Sequence, residues 1–159
     1  MTKKGNTEDP QNFRGLAIAS ALAKLHGLIL LKRLMTYIHD KKFISPNQIG
    51  FMEGAQTSDH NFLLQTIIEK VVKTNRKRLF CVFVDFKKAY DTVNRKTLLR
   101  KLQNLGINGI FYKNIATMYA DSEYSIKLKN GFQDPIKSNL GLRQGCPLRP
   151  ILFNIYIYR

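Results

Sequence analysis

The sequence has 159 residues, of which 44% are hydrophobic, and its 26 Lys and Arg outnumber its 11 Asp and Glu to give a net charge of +15. This length and composition are typical of one domain with a real apolar core, and they exclude a disordered tail. The basic residues are spread evenly over residues 1–80 and 81–159, which favours a surface that meets a polyanion along its length. Nucleic acid is therefore the leading class of partner, ahead of an acidic membrane surface.

Two further features of the sequence bear on its cellular setting. No apolar run reaches the roughly 18 residues of a membrane span, and the N-terminus lacks the apolar core of a signal peptide. Cys81 and Cys146 stand apart from any C-x-x-C or Cys/His cluster, so neither a zinc site nor a disulfide framework is indicated. We expect an intracellular protein, of the cytoplasm or the nucleus, that is not secreted and has no membrane partner.

Residues 1–15 are polar and predict a loop with basic side chains near both ends. Lys3 and Lys4 lie at its start, and Arg14 lies at its end. Two interpretations stay open at this point: the three side chains seek phosphate groups, or they are ordinary solvated charges.

Two helices are predicted between this loop and residue 78. Ser20 is a candidate N-cap for a helix that runs to about His39, and a breaker-rich loop follows at residues 45–54. One of residues 57–59 then caps a second helix. The apolar residues of the first helix follow helical spacing, at Leu22, Leu25, Leu28, Ile29, Leu31, Leu34, Met35 and Ile38. Those of the second helix lie on one side, at Phe62, Leu63, Ile67, Ile68, Val71 and Val72.

A strongly apolar run ends abruptly at Asp85. The six preceding residues, 79–84, match a strand buried on both faces. A carboxylate at the end of such a strand can hold Mg²⁺, which takes oxygen ligands and prefers one or two carboxylates together with substrate phosphates. The alternative, in which Asp85 caps the helix that follows, stays open on this stretch alone.

The second half of the chain predicts two more helices and a hairpin. Asn94 is a candidate N-cap for a helix that Gly106 stops, and a further helix covers Gly109 to Ala120. Alternating apolar residues after Ala120 then predict a strand, Asn130-Gly131 predicts a two-residue turn, and residues 132–138 return as the second strand.

The last predicted element follows a loop rich in glycine and proline at residues 141–150. The apolar run at residues 151–158 is compatible with a strand or a buried helix. Pro147 and Pro150 sit where the first turn of a helix tolerates them, so we predict a helix.

Four motifs now stand in order along the chain. They are Asn12-Phe13-Arg14-Gly15, Gln48-Ile49-Gly50-Phe51 with Thr57 to His60, the stretch from Phe83 to Asp91, and the stretch from Gly141 to Pro150. In this order and spacing they resemble the reverse transcriptases of non-LTR retrotransposons, which are related to those of group II introns. The resemblance covers nearly the whole chain.

The resemblance implies an α+β fold, namely a partial right-hand polymerase with helical fingers, a β-hairpin and an incomplete palm sheet. Residues 1–78 would form the fingers, and residues 79–93 would enter the palm with the first catalytic strand. Residues 94–145 would extend the fingers and carry the hairpin. Residues 146–159 would begin the second palm segment, with the rest of the palm and the thumb absent.

The resemblance also implies a metal site and a sugar contact. Asp85 would be the catalytic, metal-binding carboxylate, with the backbone carbonyl of Phe86 beside it as a second ligand for Mg²⁺. Tyr90 would lie under the sugar of the incoming nucleotide, where a ring excludes a 2′-hydroxyl group. The alternative for Tyr90 is an ordinary core ring, and Asp91 is expected to make a local hydrogen bond.

Further nucleotide-binding residues are implied by the same comparison. Arg14, and with it Lys3 or Lys4, would contact the triphosphate. Gln144 and Gly145 would lie against the incoming nucleotide and the template base, although Gln144 could instead only tie down its own loop.

The chain departs from the family pattern at several places. Arg149 stands where family members carry Ser, and the basic residues usual near Met52 and Ala55 are missing. The chain also stops at Arg159, before the aromatic-Ala-Asp-Asp hairpin that supplies the other catalytic carboxylates of the family. Two-metal phosphoryl transfer needs several converging carboxylates, so the two-metal Mg²⁺ site is expected to be incomplete and the fragment inactive.

The sequence thus predicts a fragment of an RNA-directed DNA polymerase from a retrotransposon. Its partners would be an RNA template, a DNA primer and deoxynucleoside triphosphates. An unpaired edge of the palm sheet would favour self-association. Two other hypotheses stay open: a noncatalytic basic module that binds RNA or DNA, and a transposon remnant without a function.

Overall fold

The computed structural model describes residues 17–74, 78–120, 122–128 and 130–158. The helices in these ranges are α1 (Ala21–Lys41), α2 (Thr57–Ile68, continued by a π-helical turn, Glu69–Thr74), α3 (Arg95–Asn104), α4 (Gly109–Ala120) and α5 (Arg149–Ile157). The strands are β1 (Glu123–Tyr124), β2 (Lys127–Leu128), β3 (Gly131–Phe132) and β4 (Ile136–Lys137). The predicted α+β class is confirmed at this level. Within the described ranges, no helix combines the length and the apolar character that crossing a bilayer requires.

Helix α1 begins as its sequence predicts and buries a narrower stripe than expected. The Ser20 hydroxyl accepts a hydrogen bond from the backbone N–H of Ala23 at 3.2 Å, which satisfies a helix-end donor. The buried residues are Gly27, Leu30, Leu34 and Ile38. The predicted apolar residues Leu22, Leu25, Leu28 and Ile29 are exposed, because only one line of the helix surface meets the other helices.

The core lies among α1, α3, α4, α5 and the loops that join them. Its buried apolar residues are Leu30, Leu34, Ile38, Val93, Leu98, Leu102, Ile107, Ile115, Tyr119, Leu142, Leu148, Ile151, Leu152 and Ile155. Helix α2 contributes no buried residue, and the apolar side that its sequence predicts is left largely exposed. The cap of α2 also differs from the prediction: the helix follows Gln56, whose backbone N–H donates to the Asp59 carboxylate at 2.7 Å.

Helix α3 is capped at its N-terminus and is hydrogen-bonded to the C-terminal end of α5. The Asn94 side chain accepts from the N–H of Thr97 at 3.1 Å, so the predicted N-cap of α3 is confirmed. Lys101 donates to the backbone carbonyls of Tyr156 and Tyr158 at 2.6 Å each, which satisfies acceptors at the C-terminal end of α5. The choice of helix over strand for the C-terminal run is confirmed, with Pro150 in the first turn.

The predicted hairpin forms as two short antiparallel pairs. Strand β1 pairs with β4, and β2 pairs with β3, with Leu128 opposite Gly131. Gly131 therefore begins the returning strand, and the predicted Asn130-Gly131 turn lies one residue too far along the chain. The left-handed backbone of Gly131, with φ at 132°, is used in the strand rather than in the turn.

The predicted buried strand before Asp85 is wrong. Residues 78–86 have no regular secondary structure, and the side chains of Phe80, Val82 and Phe83 are 86%, 86% and 81% exposed. A strand needs a partner for its backbone groups and cover for its side chains. The strand pairs of the described residues are confined to the hairpin, so nothing there pairs with this run.

Candidate active site

Asp85 is exposed and lies at the end of the irregular segment 78–86. Within the described ranges its carboxylate takes part in no hydrogen bond or ion pair. Those ranges also contain no group of three or more His, Cys, Asp and Glu side chains that could hold a metal ion. Asp85 thus offers a single accessible carboxylate, which suits a hard cation that keeps most of its water ligands.

A tight turn after Asp85 brings the chain back toward α5. Lys88 has a left-handed backbone, with φ at 53°, and its carbonyl accepts from the N–H groups of Asp91 at 2.9 Å and Thr92 at 3.2 Å. The Thr92 hydroxyl donates to the same carbonyl at 3.3 Å. A residue other than glycine is uncommon in this conformation. Here Lys88 is held in it by the three hydrogen bonds that its carbonyl accepts.

Three aromatic rings meet between this turn and α5. The Tyr90 ring centroid lies 4.9 Å from that of Phe153, at an interplanar angle of 48°. The Phe86 ring meets Phe153 edge to face, with centroids 6.1 Å apart. Offset and edge-to-face arrangements are the favoured ones for aromatic pairs. Phe86 and Tyr90, which the sequence singles out as site residues, therefore both contact the ring of Phe153 on α5.

Arg149, the first residue of α5, contacts the same turn. Its guanidinium carbon lies 4.5 Å from the Tyr90 ring centroid, and its Nη2 donates to the Asp91 carboxylate at 3.0 Å. The predicted local hydrogen bond of Asp91 is wrong for its carboxylate, whose partner Arg149 is 58 residues away.

The loop that precedes α5, residues 141–148, is hydrogen-bonded to the Tyr90 turn. Gly141 N–H donates to the Val93 carbonyl at 2.9 Å, and Leu142 N–H donates to the Tyr90 carbonyl at 2.8 Å. Gly141 has φ at 77°, and a Cβ built on it would lie 2.8 Å from the carbonyl oxygen of Asp91. This close approach of two backbones requires glycine.

Replacing Gly141 by alanine should lower the free energy of unfolding by more than the roughly 1–2 kcal/mol that a left-handed backbone costs. The excess comes from the overlap with the Asp91 backbone, which cannot swing away as a side chain would. Gly54→Ala is the matched control, because Gly54 has φ at 78° and nothing within 4 Å of an added Cβ. Urea unfolding measures both variants, and equal losses would show that the contact with Asp91 contributes nothing.

A buried arginine organises the start of the same loop. Arg95 is 7% exposed, and its guanidinium donates to the carbonyls of Gly141 at 2.8 Å, Leu140 at 3.0 Å and Tyr119 at 3.1 Å. It also donates to the Ser138 carbonyl, and it lies 5.3 Å from the Tyr119 ring centroid. One side chain thereby joins the N-terminus of α3, the end of α4 and the loop.

The first half of the chain reaches α5 through a buried amide. Asn154 donates to the Gly50 carbonyl at 2.9 Å, and its own side-chain oxygen accepts from Gln48 Nε2 at 3.3 Å. Gln48 and Gly50 belong to the second of the four sequence motifs. The motif thus serves to anchor the loop at residues 45–54 on α5.

Burial disfavours the charged form of two side chains, Tyr119 of α4 and Cys146 of the loop. Desolvation raises the pKa of the Tyr119 hydroxyl above its ordinary value, and the nearby Cys146 thiol contributes a smaller rise. Desolvation also raises the pKa of the Cys146 thiol. Both shifts favour the neutral form, so neither group adds charge to this region near pH 7.

The comparison with known proteins identifies the family. The family model for reverse transcriptase (RNA-dependent DNA polymerase) matches residues 1–159. This chain belongs to the reverse transcriptase family. The resemblance inferred from the four motifs is confirmed.

Several curated proteins are similar to this reverse transcriptase chain. The chain is 37% identical over 155 residues to a Retrovirus-related Pol polyprotein from type-1 retrotransposable element R2 of Popillia japonica, covering 97% of the chain and 21% of that protein. It is 22% identical over 151 residues to a Probable RNA-directed DNA polymerase from transposon BS of Drosophila melanogaster, covering 94% of the chain and 16% of that protein. The chain therefore spans about a fifth or less of the length of these relatives.

Of the remaining predicted site residues of this reverse transcriptase chain, the structure describes two. Gln144 and Gly145 are exposed in the loop before α5, and a Cβ on Gly145 would lie 3.1 Å from the Ala17 carbonyl. Lys3, Lys4 and Arg14 lie outside the described residues. The structure thus brings Phe86 and Tyr90 together against Phe153 of α5, and Asp85 directly precedes Phe86 in the chain.

Sequence reasoning missed two residues that organise this region. Arg95 directly follows an N-cap and looks like any charged residue of a first helical turn, so no local pattern marks it as buried. Arg149 was visible as a departure from the family pattern, but its contacts with Tyr90 and Asp91 depend on residues far away in the chain.

Proposed function

We propose that this chain is part of an RNA-directed DNA polymerase and carries the nucleotide-contacting residues of its fingers and first palm segment. Residues 1–78 are assigned to the fingers, residues 79–93 to the palm, residues 94–145 to the fingers extension and residues 146–159 to the second palm segment. The partial right-hand polymerase fold is part of this proposal. The substrates are deoxynucleoside triphosphates, with an RNA template and a DNA primer.

The contact of Phe86 and Tyr90 with Phe153 carries the proposal. Residues 79–93 and 146–159 are far apart in sequence, yet their aromatic rings meet at centroid distances of 6.1 Å and 4.9 Å. A palm built from two separated segments requires such a contact. The contact holds the Tyr90 ring against a helix, and a residue that senses a sugar needs such a fixed position.

Asp85 is proposed as the catalytic carboxylate, and it would hold Mg²⁺ together with the backbone carbonyl of Phe86. Its carboxylate is exposed and makes no bond to any residue that the structure describes, which fits a hard cation. A bound Mg²⁺ would neutralise charge on the transferring phosphate. In the proposed reaction the primer 3′-hydroxyl attacks the α-phosphate of the nucleotide, and pyrophosphate leaves. Further carboxylates are required for this chemistry, since Asp85 supplies one.

The other proposed residues bind and select the nucleotide. The Tyr90 ring would lie under the deoxyribose and exclude a 2′-hydroxyl group. Lys3, Lys4 and Arg14 are proposed to contact the triphosphate, since cations and phosphates pair strongly. Gln144 and Gly145 would line the nucleotide and template side of the site.

Primer extension tests the proposal. A longer protein, in which these 159 residues are followed by the downstream residues of the Popillia japonica relative, should extend a DNA primer on an RNA template with deoxynucleotides and Mg²⁺. The 159 residues alone should not, because one carboxylate cannot fix two metal ions. Failure of the longer protein, while the unaltered relative extends the same primer, would contradict the proposal.

A noncatalytic nucleic-acid module is the second candidate, and the net charge of +15 favours it. Counterion release would drive binding by such a surface without reading base sequence. Either function thus predicts weak binding that tolerates different sequences. The two differ in primer extension alone.

The affinity of the 159-residue chain for RNA should therefore fall steeply with salt. The expected slope is a loss of roughly 0.7–0.9 in log K per phosphate contacted for each decade of salt concentration. Fluorescence anisotropy with two unrelated RNAs of equal length measures both the slope and the sequence tolerance. A flat salt dependence, or strong preference for one RNA, would contradict this mode of binding.

Self-association is proposed on a different basis from the one the sequence suggested. The predicted sheet edge at residues 79–84 does not form, so edge pairing is no longer its cause. The apolar side chains of that segment are nevertheless exposed, and contiguous exposed apolar surface favours association.

A further inference from the structure

The Arg149 side chain makes two directed contacts with the turn that carries Tyr90. Its guanidinium carbon lies 4.5 Å from the Tyr90 ring centroid, within the range of a cation–π contact. Its Nη2 donates to Asp91 Oδ1 at 3.0 Å. The Arg149 side chain is 20% exposed and that of Asp91 is 68% exposed, so the cation is the better covered member of the pair.

One donor of Arg149 has no partner among the residues that the structure describes. Its Nε is buried and makes no hydrogen bond within the described part of the chain. An arginine that reached into water would satisfy this N–H group, and an unsatisfied buried donor costs stability. The ring of Tyr90 and the carboxylate of Asp91 therefore hold the guanidinium where it lies.

The Tyr90 ring is held from α5 by two side chains. Arg149 and Phe153 are four residues apart, so they project from the same side of the helix. The Phe153 ring lies 4.9 Å from the Tyr90 ring. The backbone carbonyl of Tyr90 is fixed as well, because it accepts from Leu142 N–H at 2.8 Å. Ring and backbone thus have separate supports, and Arg149 acts on the ring.

We propose that Arg149 is a positioning residue for the Tyr90 ring, with Asp91 orienting its guanidinium. Where Tyr90 excludes the 2′-hydroxyl group, which rests on the proposed function, Arg149 sharpens the preference for deoxyribonucleotides over ribonucleotides. The planar guanidinium is essential to this role, because a lysine ammonium keeps the charge but cannot stack on a ring in the same way.

The ring position is tested without any assay of function. The chain has seven tyrosines, so labelling with 3-fluorotyrosine gives seven ¹⁹F signals, and Tyr90→Phe assigns one of them. Arg149→Met and Arg149→Lys should both shift the Tyr90 signal and leave the other signals in place. Arg100→Met is the matched control, because Arg100 is exposed on α3 and its replacement should shift no Tyr90 signal. An unmoved Tyr90 signal in both Arg149 variants would overturn the positioning role.

The preference for deoxyribose is tested on the same 159-residue samples. Saturation-transfer NMR gives the ratio of the dissociation constants of ATP and dATP in the presence of Mg²⁺. Both Arg149 variants should lower this ratio by roughly two- to thirty-fold, the range of a cation–π contact, whereas Arg100→Met should not change it. A shifted Tyr90 signal with an unchanged ratio would overturn the selectivity role.

The two proposals fail in different ways. An unaltered chain that binds ATP and dATP equally would contradict the proposed role of Tyr90 in sugar selection. The ¹⁹F measurement would still decide whether Arg149 positions the ring. Circular dichroism of each variant checks that the helices are retained, so that a shifted signal reports the site and not unfolding.

Discussion

Replacing Arg95 by methionine should lower the free energy of unfolding by about 3–5 kcal/mol, because several backbone carbonyls lose their hydrogen-bond donor at once. The guanidinium donates to the backbone carbonyls of Gly141, Leu140, Tyr119 and Ser138. Methionine fills part of the volume but donates nothing, and each buried carbonyl left without a donor costs about 1–3 kcal/mol. The desolvation of a charge that methionine avoids offsets part of this loss.

Urea unfolding, followed by circular dichroism, measures the effect. Arg100→Met makes the same chemical change at an exposed position of the same helix and should stay within about 0.5 kcal/mol of the unaltered chain. Arg95→Lys should fall between the two, because an ammonium group keeps the charge but has fewer donors in a less suitable geometry. A loss below about 1 kcal/mol for Arg95→Met would show that the loop finds other donors.

Replacing Asp85 by alanine should abolish primer extension in the longer protein described above, with a fall of at least about 10³-fold in rate, comparable to removal of a major electrostatic catalytic group. Asp85 is the proposed ligand for Mg²⁺ and would stabilise charge that develops during phosphoryl transfer. Because Asp85 is exposed and unbonded within the described ranges, the same change should leave stability within about 0.5 kcal/mol.

Asp134→Ala is the matched control for this experiment, since Asp134 is an exposed carboxylate of the hairpin. It should leave the rate of primer extension unchanged. Extension is measured on an RNA template with deoxynucleotides, with and without a chelator of divalent cations. Primer extension that survives Asp85→Ala would show that Asp85 is not a catalytic residue, whatever the result for Asp134→Ala.

Local signals in the sequence account for the helices. Ser20 and Asn94 each cap the helix that their position predicts, and residues 109–120 form the expected helix. These features depend on side chains within a few residues of the backbone groups that they satisfy, so they can be predicted without a partner element. The family was also apparent from the order of the four motifs, and the family model bears it out.

Burial could not be predicted in the same way. The apolar run at residues 79–84 suggested a buried strand, but strands are stabilised by neighbours, and within the described residues none pairs with it. Helix α2 gives a second example: its sequence has an apolar side, and in the structure that side is largely exposed. An apolar pattern states what a segment can bury, whereas only the surrounding elements decide whether it does.

The sequence by itself determined the N-caps of α1 and α3, the α+β class and the family of this protein. Caps depend on residues close by in the chain, and the order of the motifs can be read directly from the sequence. Only the tertiary structure decided the surroundings of the site residues. Arg95 contacts carbonyls up to 46 residues away, and Arg149 meets Asp91 across 58 residues. Such contacts form when packing helices bring distant residues together. The sequence around an arginine does not show whether its guanidinium is buried, stacked on a ring or exposed to solvent.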